Sequence, residues 1–269
     1  MDFSLLTIDP VAFELGPISV RWYGIIIAFG IIVAYFVGQR EMNKRGFHED
    51  FLTDLLIWAV PIAIISARIY YVIFEWSYYK DHLSEIIQVW NGGIAIHGAL
   101  IGSFITAYVF SKKRGESFWK VADVLAPSII IGQIIGRWGN FMNQEAYGGV
   151  VERSFLENLH IPNWIIEQMN VNGFYHHPTF LYESVWNIVG LIVLLVLRKV
   201  NLLRGESFLI YIMWYSFGRY FVESLRMDSL YIGPLRTAQL ISLIGLVAAA
   251  VILIYRRKTM SPKVHYKDK

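Results

Sequence analysis

Apolar residues run together along this chain in stretches long enough to cross a bilayer, for which a helix needs about 20 mostly apolar residues. Seven stretches qualify, at residues 18–37, 52–74, 93–110, 121–141, 179–197, 208–225 and 238–255. The third is short and glycine-rich, and the fourth and sixth carry charge, so their limits are soft. The pattern predicts an all-α polytopic membrane protein, one integral-membrane domain over 1–269 with seven transmembrane helices. A long loop region at 142–178 separates spans four and five.

The polar connections orient these spans, because lysine and arginine collect on the cytoplasmic side. Segments 39–50, 111–120, 197–207 and 255–269 are basic, whereas the N-terminal segment and loops 75–92 and 142–178 are poor in Lys and Arg. Basic and non-basic connections alternate, apart from a mixed loop at 226–236. The expected topology is therefore N-terminus outside and C-terminus cytoplasmic.

Composition supports this class. Of 269 residues, 55% are hydrophobic and 17% charged, with mean hydropathy +0.45 and net charge +3. Soluble domains sit nearer a quarter charged. The opening MDFSLLTIDP lacks the basic start of a cleavable signal peptide, so a mature N-terminus is expected. Cysteine is absent, which removes disulfides, thiolate metal sites and an enzyme-borne thiol nucleophile, though not a thiol on a substrate. RGESF occurs at 114–118 and again at 204–208, read either as a distant duplication or as two basic helix starts.

Direction combined with position places the ionisable residues. Tyr23, Arg68, Arg137, Asn140, His177, Tyr182, Glu183, Arg219, Glu223 and Arg226 all fall toward the outer ends of their spans. His97 lies about 6–9 Å deep from the outer side at 1.5 Å per residue. The inner halves read as almost pure hydrocarbon. An arginine at mid-membrane costs roughly 2.5–3.5 kcal/mol, so the asymmetry asks for an explanation.

Tyr215, Arg219, Glu223 and Arg226 share one helical stripe. An Arg–Glu–Arg ladder would neutralise part of it, yet one carboxylate leaves one guanidinium over. An anion near Arg137 and Arg219 would answer that remainder. His97 sits in NGGIAIHGALIG, where it serves either as a hydrogen-bonded packing residue or as a base. Gly98 with Gly102, and Gly132 with Gly136, form GxxxG pairs that bring helices close. No metal motif is present, and no metal, cofactor or nucleic-acid partner is expected. Arginine forks suit phosphate, which at that depth belongs to a lipid head group.

IHGALIG, GRWGNFMNQEAYG (136–148), HHPTFLYE (176–183) and GRYFVESLR (218–226) together resemble the bacterial prolipoprotein diacylglyceryl transferases. The resemblance covers most of the chain, and GRxGNFxNxE is its specific element. It implies transfer of the diacylglyceryl group of phosphatidylglycerol to the lipobox cysteine of a prolipoprotein signal peptide, at the outer leaflet of the plasma membrane. In that family's pattern His97 is the candidate base, with electrostatic activation of the thiol by arginine as the alternative. Arg137 and Arg219 would clamp the phosphodiester, Asn140 and Glu145 would orient the head group and Arg137, and Gly148 would let the loop backbone approach it. Tyr23 and Tyr182 would contact lipid, and Glu223 and Arg226 would support Arg219. Trp138 and residues 144–147 occupy variable positions of the signature. Loop 149–176, with Trp164, Ile165 and Ile166, is read either as an interfacial arm or as a plain connector. The competing functions are a transporter or flippase for an anionic amphiphile, and a membrane scaffold with self-neutralised charges. Transport sites usually lie near the midplane with access from both sides, whereas here the charge lies on one side.

Overall fold

The computed structural model describes residues 8–16, 18–200 and 202–268, so most of the non-basic opening segment lies outside the described residues. Strands β1 (Val11–Leu15) and β2 (Ile18–Arg21) form an antiparallel hairpin ahead of α1 (Trp22–Lys44). Next come α2 (Phe51–Phe74), the short α3 (Trp76–Tyr79), α4 (Ile96–Lys113) and α5 (Phe118–Met142). The region after α5 contains β3 (Val150–Val151), α6 (Arg153–Asn158), α7 (Asn163–Gln168), β4 (Asn170–Val171) and β5 (Phe174–His176). Then follow α8 (Thr179–Leu197), α9 (Glu206–Leu225), strands β6 (Tyr231–Ile232) and β7 (Leu235–Arg236), and α10 (Thr237–Thr259).

Each expected span holds one long helix. Among the described residues α1, α2, α5, α8 and α10 are long and apolar enough to cross a membrane on length and composition. The chain is thus a polytopic membrane protein. The first helix starts at Trp22 because Ile18–Arg21 pairs as a strand. The third starts at Ile96 because Gly92 (φ 85°) and Gly93 (φ 71°) adopt left-handed backbone that cannot continue a helix.

The expectation of a purely α chain needs amending. Three small antiparallel sheets occur among the described residues, ordered β1-β2, β3-β5-β4 and β6-β7. Their hairpin turns contain left-handed glycines at 16, 173 and 233. Asn172–Gly173, both at positive φ, is the turn chemistry a two-residue hairpin requires. Strands of two to five residues leave no periodic signal against a background of long apolar runs.

The described residues form two compact units, one of residues 8–38 with 123–268 and one of 39–122. In the first, α1 packs on α5 through small residues. A Cβ at Gly136 would meet Ile27 Cδ1 at 3.4 Å, and one at Gly30 would meet Ile135 Cγ2 at 3.3 Å. Ala126, Ile130, Leu194 and Tyr211 join α5, α8 and α9 in one buried cluster. Phe141, Leu156, Ile161, Ile165, Ile166, Met169 and Phe180 build a second under the 149–176 region. That region is therefore neither an arm nor a plain connector but a small packed subdomain. Ile165 and Ile166 are core residues rather than membrane-facing ones, whereas Trp164 remains exposed.

In the second unit α4 lies against α2. A Cβ at Gly98 would collide with Ser66 O and the Ala67 Cα, and one at Gly102 with the Ser66 side chain. Phe47, Phe51 and Phe110 pack in tilted and edge-to-face contacts at 5.0 and 5.2 Å beside an Asp54–Arg114 ion pair.

The two RGESF copies differ in use. Gly115 (φ 73°) and Gly205 (φ 95°) both turn left-handed ahead of a helix, but α5 starts at Phe118 and α9 at Glu206. Two helix starts, not one repeated element, account for them. The second is capped from α5: Asp123, fully buried, accepts Gly205 N at 2.6 Å and Phe208 N at 2.8 Å. Asp123 also corrects the expectation that charge gathers at one end of the spans only, since it lies in α5 at the end opposite Arg137.

Candidate functional site

Helix α5 presents Arg137, α8 presents Glu183, and α9 presents Arg219 and Glu223. Arg219 Nη1 donates to Glu183 Oε1 at 2.8 Å, and its Nη2 pairs with Glu223 Oε2 at 2.6 Å. Arg137 Nε lies 2.5 Å from Glu183 Oε2. The side chains of Glu183 and Glu223 are only 7% and 3% exposed, so the carboxylates are held out of solvent. Two cations meet two anions, and Glu183 bridges both arginines. The guanidinium left over by the stripe argument is balanced from another helix, a contact the sequence did not reveal.

The network is not closed on every face. Arg137 meets Glu183 as an ion pair, but its buried Nε makes no hydrogen bond among the described residues. Its side chain keeps 19% of its surface.

The signature loop after α5 is pinned by its own polar residues. Asn140 Nδ2 donates to Glu145 Oε1 at 2.8 Å, and Glu145 N to Asn140 O at 3.0 Å. Asn140 and Glu145 thus engage each other, where contact with Arg137 was expected. Gln144 (φ 50°) and Ala146 (φ 58°) hold left-handed backbone, uncommon for residues with a Cβ and a sign of local strain. Thr179 Oγ1 at the start of α8 donates to Ala146 O and fastens the strained turn. The cavity beside this loop, bounded by Asn140, Glu145, Gln168 and Thr179, measures only about 10 Å³, too small for a head group.

Gly148 is a structural junction. Its N–H donates to His177 O at 3.0 Å, its carbonyl meets His176 Nδ1 at 2.9 Å, and it bridges to Arg226. A Cβ there would meet His177 Cβ at 2.7 Å and Leu225 O at 3.0 Å, so glycine is required by protein packing. His177 Nδ1 contacts Tyr182 OH at 3.1 Å. Desolvation, then the neighbouring His176, holds the His177 imidazole below its ordinary value. The ring of Tyr23 in α1 packs against Gly139, where a Cβ would meet its Cδ2 at 2.8 Å. The tyrosine is thereby set one residue from Asn140.

Arg226 turns away from the stripe. It caps α9 and makes a bidentate pair with Asp228 at 2.8 and 2.6 Å, where support of Arg219 was expected. That guanidinium keeps the Asp228 carboxyl below the usual carboxylate range. Glu223 does pair with Arg219, and its backbone carbonyl accepts from Arg236, another residue sequence reasoning passed over.

His97, second residue of α4, belongs to the other compact unit. It packs at 5.9 Å from the Tyr70 ring and has no hydrogen-bond or ion-pair partner among the described residues. A hydrogen-bonded packing role is thus not what surrounds it. Arg68, grouped by sequence with the site arginines, is committed elsewhere. It is buried and donates to the carbonyls of Glu85, Ile86, Gly92 and Gly93 at 2.6–2.8 Å. There it tethers the 83–95 loop beside a pocket of about 160 Å³ lined by Tyr71, Tyr79 and Gln88.

No group of three or more His, Asp and Glu side chains able to hold a metal occurs among the described residues. A family model described as prolipoprotein diacylglyceryl transferase matches residues 10–255. The chain belongs to that family. The phosphatidylglycerol–prolipoprotein diacylglyceryl transferase of Lysinibacillus sphaericus (strain C3-41) is 63% identical over 271 residues, covering 100% of this chain and 99% of its own. The enzymes of that name from Bacillus velezensis and Listeria monocytogenes serotype 4b are 57% and 56% identical over 262 residues, each covering 97% of this chain. Within this diacylglyceryl transferase chain, three of the four quoted signature segments meet at one place in the first unit, and IHGALIG lies in the second. Residues 136–148, 176–183 and 218–226 share the arginine–glutamate network and the Gly148 junction.

Proposed function

We propose that the protein transfers the diacylglyceryl group of phosphatidylglycerol to the lipobox cysteine thiol of prolipoproteins. The cysteine sulfur forms a bond to the glyceryl carbon as the carbon–oxygen bond to phosphate breaks. A thioether results, glycerol-1-phosphate leaves with the bonding electron pair, and the thiol proton passes to a base. A free thiol has pKa about 8.5, so at neutral pH this proton must be removed or the thiolate stabilised. His97 is the base in this proposal, and its lack of a competing partner supports it. A field from Arg137 and Arg219 that stabilises the thiolate is the alternative.

The observation that carries the proposal is Arg137, which is ion-paired with Glu183 yet makes no side-chain hydrogen bond among the described residues. A guanidinium held beside a carboxylate with its donors still to be satisfied is suited to receive phosphate oxygens and the charge that grows on the leaving group. Arg219, fastened by Glu183 and Glu223, supplies the second positive centre. Tyr23, Asn140, Glu145 and Tyr182 border the lipid head group, Gly148 holds the loop at the end of α9, and Glu223 and Arg226 keep that end in place. The site belongs to a seven-span domain of the bacterial plasma membrane, N-terminus outside, and faces the outer leaflet. Its partners are phosphatidylglycerol, membrane lipids and prolipoprotein signal peptides.

The test uses purified protein in detergent with phosphatidylglycerol and a lipobox peptide. Mass spectrometry follows the peptide while a coupled assay follows glycerol phosphate. The expected result is a diacylglyceryl mass gain on the Cys peptide, none on a Cys→Ser peptide, and matching release of the phosphate ester. Arg137→Ala and Arg219→Ala abolish transfer while membrane insertion persists. Normal turnover by either variant removes the clamp. Lipid binding without transfer by the wild-type chain turns the site into one for binding or transport.

A further inference from the structure

Helices α8 and α9 each carry a tryptophan with a glycine four residues later, Trp186–Gly190 and Trp214–Gly218. The two indoles stack with centroids 4.3 Å apart and planes 16° from parallel. Each indole N–H donates to the other tryptophan's backbone carbonyl, Trp186 Nε1 to Trp214 O and Trp214 Nε1 to Trp186 O, both at 3.0 Å. Each glycine makes the slot for the opposite ring. A Cβ at Gly218 would overlap the Trp186 indole, and one at Gly190 the Trp214 indole.

From these reciprocal contacts we infer that the paired Trp–Gly clasp sets the register of α8 on α9, so that Glu183 meets Arg219. Trp186 and Trp214 are then positioning residues for the arginine–glutamate network, an inference that rests on the proposed function for its kinetic consequence. In lipid, apolar helix faces gain little from one register over another, because hydrocarbon is as good a neighbour as a leucine. Polar and steric features must therefore choose. The two hydrogen bonds point in opposite directions between the helices, so a slide either way breaks both. A one-residue slide moves a helix by 1.5 Å, enough to destroy a 2.8 Å contact. Gly218 directly precedes Arg219, and Trp186 follows Glu183 by less than one turn, so the clasp and the ion pair share a level of the bundle. An indole N–H deprived of its carbonyl in this setting is costly, which makes the device all-or-none.

The test uses the full chain with Trp186→Phe and Trp214→Phe, which keep a ring and lose the N–H, and Gly218→Ala, which blocks the slot. Near-ultraviolet circular dichroism should lose the same stacked-indole signal in either tryptophan variant. With the lipobox peptide, kcat should fall by roughly tenfold or more while KM changes by less than about twofold, the pattern of a group acting in the transition state. Glu183→Gln added to Trp186→Phe should cost far less than the product of the two single losses, because the clasp acts through that carboxylate. Losses that multiply, or a Gly218→Ala chain with wild-type turnover, overturn the inference. The same double-mutant cycle read in thermal midpoints does not depend on activity. If the wild-type chain transfers nothing, the proposed reaction fails while that cycle still decides the clasp, with additive midpoint shifts refuting it.

Discussion

At Glu183 one buried carboxylate faces two guanidinium groups on two other helices. Glu183→Gln removes the charge and nearly keeps the shape, leaving Arg137 unpaired beside its terminal donors. Removing one partner from a buried ion pair costs about 3–5 kcal/mol, because the remaining charge stays desolvated. The expected outcome is a lower thermal midpoint together with slower but measurable transfer, the midpoint partly restored by a phosphate-bearing lipid that takes the carboxylate's place. A second residue-scale effect concerns pH. His177 prefers its neutral form in the fold more than in the unfolded chain. Stability therefore holds above the ordinary histidine value of about 6.5 and declines as pH falls below it toward the depressed folded value. A denaturation midpoint measured against pH should show this decline, and His177→Gln should flatten it. Sequence placed Arg137, Arg219 and Glu223 correctly at one end of their helices, because charge within an apolar run is conspicuous. It missed Glu183 as the bridging group, since the partners are joined only by folding and lie 36 residues apart.

Two GxxxG pairs looked alike at the level of the element, and the packed helices separate them. Gly98 and Gly102 touch the backbone and side chain of Ser66, whereas a Cβ at Gly132 would meet nothing nearer than Ala34 Cβ at 4.0 Å. Gly98→Ala should therefore force α4 off α2, with a loss of about 1–3 kcal/mol typical of overpacking. Gly132→Ala should be close to neutral. Thermal midpoints of the two variants check the contrast, and equal effects would contradict it. The long helices were legible because an apolar run of bilayer length has few other uses. The hairpins were not, and the turn signal of Asn172–Gly173 went unread within a segment taken as an arm or a connector. The 149–176 subdomain was obscured for the opposite reason, as its core residues are split among two six-residue helices, the turns beside them, and the facing ends of α5 and α8.

For the whole molecule, the number of membrane crossings decides which side the network faces. Among the described residues five helices qualify as spans on length and composition; α4 and α9 do not. α4 has 18 residues, about 27 Å at 1.5 Å per residue, close to the thickness of the hydrocarbon core. The apolar stretch of α9 is interrupted by Arg219 and Glu223, but with Arg137 and Glu183 these form a network of two cations and two anions. Counting isolated charges overstates its cost of insertion, so seven crossings remain the expectation, in agreement with the alternation of basic loops. A chain without cysteine makes the test direct. Single cysteines at the exposed positions Ser84, Lys113, Asn158 and Lys258 can each be challenged with a membrane-impermeant maleimide in intact cells. With seven crossings, Ser84→Cys and Asn158→Cys label at once, whereas Lys113→Cys and Lys258→Cys label only after permeabilisation. If α4 and α9 fail to cross, Lys113 and Asn158 exchange sides while Ser84 and Lys258 stay where they were. Outside labelling at Lys113 with protection at Asn158 would turn the signature loop toward the cytoplasm, and with it the proposed outer-leaflet site would fall.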